Sequence, residues 1–144
     1  MPTVFRHRNL PRLLLQAREA VMAHYRPGLK AAGLSEVQWR VLRVLAEHGT
    51  LEVGRVAREA YVPGPSLTGV LARMERDGLV RRARDAQDQR RTVVQATPQG
   101  LRKVQRLAPA VQAHYERLEQ ALGREPLAQL YALLDALIAL EEAR

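Results

Sequence analysis

From Leu10 to about Lys30 the apolar residues recur at Leu10, Leu13, Leu14, Ala17, Val21 and Tyr25, spacings of three and four that line one face of a helix. At about 1.5 Å per residue this helix reaches roughly 30 Å, long enough to span more than one lobe. Gly33 breaks it. Ser35 then reads as an N-cap, with Gln38 as its capping-box partner. The pattern predicts a second helix from there to about Glu47, with Val37, Val41, Leu42, Val44 and Leu45 facing inward and a stop at His48-Gly49. Leu51 to Val53 reads as a short extended piece or a cap, and Glu52 to Ala60 as a short helix with Val53, Val56, Ala57 and Ala60 on one side.

Val62-Pro63-Gly64-Pro65 is a turn that ends in a proline suited to the first position of a helix. Ser66 to Asp77 is predicted helical, closed by Gly78. Leu79 to Arg84 and Arg91 to Thr97 alternate or are β-branched, and polar Asp85 to Arg90 lies between them, which predicts a β-hairpin. Pro98 to Leu122 and Pro126 to Glu142 read as two helices, each opened by proline near N1, with Thr97 as a cap candidate for the first. The last is apolar over more than one face, through Leu127, Leu130, Leu133, Leu134, Leu137, Ile138 and Leu140. A terminal helix so apolar needs a partner, and a second copy of the chain is the simplest one.

A short helix, a tight turn, a helix of about three turns and a hairpin form the pattern of a winged helix-turn-helix. The predicted fold class is therefore mostly α with a small β-hairpin wing. The helix from Ser66 to Asp77 has two distinct faces. Leu67, Val70, Leu71 and Met74 dock inward, whereas Pro65, Thr68, Gly69, Ala72, Arg73 and Arg76 face out. That outer face is small at its N-terminal end and cationic one or two turns later. Such a shape admits a helix N-terminus to base edges in the major groove, with Ser66 and Thr68 as short hydrogen-bonding groups and Arg73 reaching a phosphate or a guanine.

Charge sharpens this picture. The 144 residues carry a formal net charge of +8, and 21 of the 23 cations are arginine. Arginine suits planar contact with phosphate and base edges better than solubility alone requires. Residues 55–91 hold nine arginines and five acids, whereas residues 92–144 balance at six and six. The excess peaks at Arg81, Arg82, Arg84, Arg90 and Arg91 on the hairpin, a cluster that by itself equally describes a solvated loop. No cysteine is present, which excludes disulfides, thiolate metal sites and thiol-based peroxide sensing. No apolar run approaches the roughly 18 residues of a membrane span. Arg12 and Arg18 interrupt the N-terminal stretch where a leader's apolar region would lie. A cytoplasmic location is the resulting expectation.

The run Ser66-Leu-Thr-Gly-Val-Leu-Ala-Arg-Met-Glu-Arg-Asp-Gly-Leu-Val-Arg81, followed by Asp88-Gln-Arg90 and Thr97-Pro-Gln-Gly100, resembles the multiple-antibiotic-resistance regulator (MarR) family of winged-helix transcription factors. Leu14 to Ala20, Gln38-Trp-Arg40, Leu45-Ala-Glu47, Pro65 to Gly69 and Arg73 to Val80 further resemble the branch that represses homoprotocatechuate (4-hydroxyphenylacetate) degradation operons. The resemblance implies a winged lobe at 34–98 and a helical dimerisation lobe from 1–33 and 99–144. It also implies a homodimer on double-stranded operator DNA. Ser66, Thr68, Gly69, Arg73 and Arg76 fall on the recognition helix. Arg84, Asp88, Arg90 and Arg91 fall on the wing, with Arg90 entering the minor groove and Asp88 bracing it. Pro63-Gly64-Pro65 departs from the family, many of whose members carry small polar residues there.

The resemblance further implies a small phenolic carboxylate as effector. Arg18 is suited to clamp its carboxylate, Trp39 and Arg40 to meet the ring, and Met22, His24 and Tyr25 to complete the wall. Each residue has a plainer reading: Trp39 as core, Arg18 as the partner of Glu19 or Glu119. The four histidines have no metal-like spacing, and no nucleophile elbow, phosphate loop or paired carboxylates appear, so neither a metal, a cofactor nor catalysis is expected. Two alternatives stay open. One is a DNA-binding regulator or architectural protein with no effector, and the other an aromatic-acid-binding protein whose basic hairpin is incidental.

Overall fold

The computed structural model describes residues 4–142. The order of elements is α1 (Leu10–Ala31), α2 (Glu36–His48), β1 (Leu51–Glu52), α3 (Val53–Ala60), α4 (Gly64–Arg76), β2 (Val80–Arg84), β3 (Thr92–Ala96), α5 (Pro98–Leu122) and α6 (Arg124–Glu142). The mostly helical fold with a small wing is as expected. Residues 1–3, which head the stretch read for a leader, and residues 143–144, which end the expected helical lobe, lie outside the described residues. Among the described residues, no helix is long and apolar enough to cross a membrane.

Local chemistry accounts for most boundaries. Asn9 caps α1 by accepting the Arg12 amide at 3.0 Å. Ser35 and Gln38 form the predicted reciprocal box, each side chain accepting the other's amide at 3.1 Å. Gly49, at φ 77°, receives the end of α2. Three helix starts differ from expectation, least of all that of α3, which begins at Val53 rather than Glu52. Helix α4 begins at Gly64 rather than Ser66, and α6 at Arg124 rather than Pro126. Proline lacks only an amide that has no intrahelical acceptor in a first turn, so it tolerates several positions there. The piece at 51–53 resolves into strand β1 and the start of α3.

The chain divides into two compact units, residues 1–107 and 108–144. In the first, β1, β3 and β2 form an antiparallel sheet in that order, with β2 pairing along its length from Val80 opposite Ala96 to Arg84 opposite Thr92. Strand β1 adds only Leu51 opposite Val94 and Glu52 opposite Val93. The distal wing is therefore a two-stranded ribbon. Leu42, Leu45, Val56, Leu67, Leu71, Met74, Val80 and Val94 are fully buried and form the core under α2, α3, α4 and the sheet. Arg40 ties α2 to the end of α3, its Nε donating to the Ala60 carbonyl at 2.9 Å and its Nη2 to that of Tyr61 at 3.3 Å. These are carbonyls for which the helix end supplies no N–H donor. In the second unit His114 and Leu127 are buried, whereas Leu130, Tyr131, Leu133, Leu137, Ile138 and Leu140 of α6 lie exposed on the single chain.

One close approach locks the wing to its neighbours. A Cβ on Gly100, in the first turn of α5, would stand 2.2 Å from the Leu79 carbonyl oxygen and 3.2 Å from Leu42 Cδ2. The offending atom is backbone, so the helix or the strand entry must move. Gly100→Ala is expected to lower stability by about 3 kcal/mol or more. Chemical denaturation monitored by circular dichroism measures it, and a midpoint equal to that of the unaltered chain would refute the close approach.

Candidate nucleic-acid interface

Helix α4 divides as its periodicity requires. Leu67, Val70, Leu71 and Met74 are buried, and Ser66, Thr68, Ala72, Arg73 and Arg76 are exposed. No side chain caps its N-terminus, where Pro63 occupies the cap position and Pro65 the first turn. Gly69 is half-buried because Arg73 leans back over it: a Cβ there would meet Arg73 Nη1 at 3.5 Å, ordinary contact. The guanidinium so lies over the small N-terminal half of the outer face rather than trailing from its end. Thr68 Oγ1 donates weakly to the Gly64 carbonyl at 3.4 Å, and Arg76 pairs loosely with Asp77 at 3.5 Å.

The hairpin turn is built by its own acids. Asp85 accepts the Gln87 amide at 3.1 Å through its side chain, and Asp88 accepts the Arg90 amide at the same distance, two Asx turns in series. Asp88 also accepts from Arg90 Nε at 3.2 Å and Nη2 at 3.4 Å. Arg90 is braced at its base yet 92% exposed. Arg84 Nη1 donates to the Gln89 carbonyl at 2.7 Å, stiffening the turn from the other strand. Arg91 lies more loosely between Asp88 at 3.7 Å and Glu52 at 3.9 Å. The carboxyl of Asp88 is held below the ordinary aspartate range, first by the Arg90 guanidinium and then by the Arg90 amide.

Two ionic clusters are absent from the sequence reading. Glu75, on α4, accepts the Arg82 amide at 3.1 Å, Arg82 Nε at 3.3 Å and Nη2 at 3.0 Å, so Arg82 is not one of the wing's free cations. An acid on an otherwise cationic outer face is the signal that could have found it. Glu36, in the first turn of α2, takes Arg26 Nε at 2.6 Å and Arg18 Nη2 at 3.2 Å, and Arg26 also donates to Glu19 at 2.8 Å. Arg26 holds the Glu36 carboxyl below its ordinary range more strongly than Arg18 does. Arg18 thus pairs chiefly with Glu36, and more distantly with Glu19 at 4.0 Å.

The residues named for an effector are partly assembled. Arg18 of α1 meets the start of α2, Met22 is half-buried, and His24 is exposed. Trp39 is 7% exposed and belongs to the core, and the Arg40 guanidinium is engaged at the end of α3. Among the described residues no group of three or more histidine, aspartate or glutamate side chains is arranged to hold a metal.

The MarR family model matches residues 32–91. The chain is 41% identical over 143 residues to the transcriptional regulator FarR of Neisseria gonorrhoeae, covering 99% of this chain and 98% of that protein. It is 41% identical over 138 residues to the homoprotocatechuate degradative operon repressor of Escherichia coli, covering 96% and 93%. Among solved structures, NadR in complex with 4-hydroxyphenylacetate superposes with a TM-score of 0.85 at 41% identity, over 95% of this chain and 97% of that one.

The brace at the wing tip has a pH signature. It is fully present above the ordinary aspartate pKa and is lost as pH falls through the lower value of the folded state. Followed by carboxyl NMR, Asp88 is expected to titrate below a free aspartate, and Arg90→Ala to raise its midpoint toward the ordinary value. A midpoint indifferent to that substitution would mean that Arg90 does not hold the carboxylate.

Proposed function

The chain belongs to the MarR family, and we propose that it is a cytoplasmic, homodimeric repressor of an aromatic-acid catabolic operon, released by a small phenolic carboxylate. That it is a DNA-binding transcriptional regulator follows from the family. The aromatic-acid part of the reading rests on the likeness to the homoprotocatechuate operon repressor and to NadR with 4-hydroxyphenylacetate. The structural observation that supports DNA binding is the pairing of two surfaces. One is an outer face of α4 that is small in front and arginine-bearing behind, and the other is the braced, extended Arg90 of the wing. Residues 34–98 form the reading lobe, and residues 1–33 with 99–144 the dimerisation lobe. In the dimer the two copies of α4 enter major grooves about 34–36 Å apart, and the wings take the flanking minor grooves. Apolar surface on α6 supports a second copy: Leu133 and Leu140 are 70% and 68% exposed, and covering each contributes roughly 1–2 kcal/mol to association.

For the effector, Arg18 is the residue best suited to a carboxylate. Its present partner Glu36 is held by Arg26 as well, at the shorter distance. A ligand that takes Arg18 therefore leaves Glu36 paired, and the exchange costs little. The ligand acts if it favours a dimer whose reading lobes are wrongly spaced for the operator. A second reading, a regulator with no effector, is favoured by the burial of Trp39 and the engagement of Arg40, which leave little of the named wall open.

Arg73→Ala and Arg90→Ala are each expected to weaken binding to the operator by about 1 kcal/mol or more, with less effect on a random duplex. Fluorescence anisotropy measures both, and operator affinity unchanged by either substitution would remove these residues from the interface. Titrating 4-hydroxyphenylacetate into the protein–operator complex is expected to release the duplex, and Arg18→Ala to raise the concentration needed about tenfold or more. Absence of release together with absence of binding heat would establish the effector-free reading.

A further inference from the structure

The wing and the recognition helix are joined by a route that the DNA-contact residues alone do not account for. Glu75 lies on the exposed side of α4, and its single carboxylate receives three donors from Arg82 of β2: the amide on one oxygen, Nε and Nη2 on the other. Between the two residues the chain turns through Gly78, at φ 76°, and buries Leu79 and Val80. Both side chains are partly exposed, at 39% and 30%, so the pair adds little to global stability. Its value is directional. Three donors converging on one carboxylate fix both the distance and the rotation of β2 against α4.

That constraint matters because the outer wing has little else to orient it. Strand β1 pairs only with Val93 and Val94, so beyond those residues the hairpin is two strands wide, and an isolated ribbon of that width is marginally rigid. From Arg82 a chain of directed bonds continues outward. The ladder sets Arg84 opposite Thr92, Arg84 holds the Gln89 carbonyl, and Asp88 holds Arg90. We infer that Glu75 and Arg82 are positioning residues, a clamp that sets the spacing between the major-groove face of α4 and the minor-groove arginine of the wing. This inference rests on the reading of the chain as a winged regulator.

Electrostatics and the clamp predict opposite signs. Removing the Glu75 carboxylate makes the surface more positive, which by itself strengthens attraction to any duplex. Loss of the clamp weakens binding only where both contacts must be made at once. The test uses a duplex of about 30 base pairs that the full-length chain enriches from a random pool, compared with a random duplex of equal length. Glu75→Ala is expected to weaken binding to the enriched duplex about tenfold while leaving the random duplex bound equally or more tightly. In that background the loss caused by Arg90→Ala is expected to shrink by a similar factor. Arg82→Lys keeps the charge and the amide donor but not the fork, and is expected to lose part of the affinity. Glu75→Gln, which retains an acceptor for the amide, provides a second variant, and thermal unfolding confirms that each protein is folded.

Enriched-duplex affinity unchanged in Glu75→Ala, or losses from Glu75→Ala and Arg90→Ala that multiply independently, would overturn the clamp and leave the regulator reading intact. If the unaltered chain enriches no duplex, the regulator reading falls and the clamp with it.

Discussion

The reading lobe depends on a junction of four residues around the start of β2. Gly78 ends α4 in a left-handed conformation, which lets the Leu79 amide return to the Met74 carbonyl at 2.9 Å. The Thr97 amide donates to the Leu79 carbonyl at 3.0 Å, and its hydroxyl donates to the Gly78 carbonyl at 2.6 Å while accepting the Gly100 amide at 3.1 Å. Gly100 has no side chain and so lets the first turn of α5 pack against the Leu79 carbonyl. One threonine therefore closes α4, registers the end of the hairpin and starts α5. The recognition helix, the wing and the helix leading toward α6 share a single origin, and movement of one at this point must move the others or break buried backbone bonds.

Outward from that origin, rigidity falls in steps. The three-stranded part of the sheet packs on α2 and α3, where its own Val94 is fully buried, as are Leu42 and Val56 of the two helices. Arg82, opposite Val94 and so still within that part, is fixed on Glu75; past Val93 only β2 and β3 remain, and order there comes from Arg84 on the Gln89 carbonyl and Arg90 on Asp88. Hydrophobic burial holds the base and charge-assisted hydrogen bonds hold the tip. This division suits a reader of nucleic acid, since a buried tip could not enter a groove and an unbraced one would lose side-chain freedom on binding.

Elements governed by local rules were legible in the sequence. The inward face of α4, the Ser35–Gln38 box and the Asp85–Arg90 turn all follow from neighbours within a few positions. The starts of α4 and α6 were less so, because Pro65 and Pro126 are acceptable anywhere in a first turn. Strand β1 has two residues and hence no period, and only its pairing with β3 makes it a strand. Tertiary ion pairs were the least legible. Strand alternation puts Arg82 on the face of Val80 and Arg81 on the other, but nothing local pairs Arg82 with Glu75, or says that Arg18 and Arg26 both meet Glu36 across two helices. Trp39 admitted both a core and a ring-stacking reading, and its burial depends on packing that its flanking residues do not determine.

The acids on the basic surface follow a common logic. A surface meant only to attract phosphate gains nothing from carboxylates, yet Glu75 and Asp88 sit within the most cationic stretch of the chain. Glu75 is taken by Arg82 and Asp88 chiefly by Arg90, with Arg91 farther off at 3.7 Å, and each carboxyl is held below its ordinary range by the donors it receives. The two carboxylates subtract from the long-range field, which acts on any duplex alike and is screened by salt. In exchange, Arg82 fixes β2 against α4, and Arg90 is held in a defined orientation before any duplex arrives, which on the proposed reading lessens the freedom lost when it enters a groove. Weakening the indiscriminate term while strengthening the geometric one raises the ratio of specific to non-specific affinity. That ratio, rather than total attraction, is what a regulator facing a genome of competing sites requires.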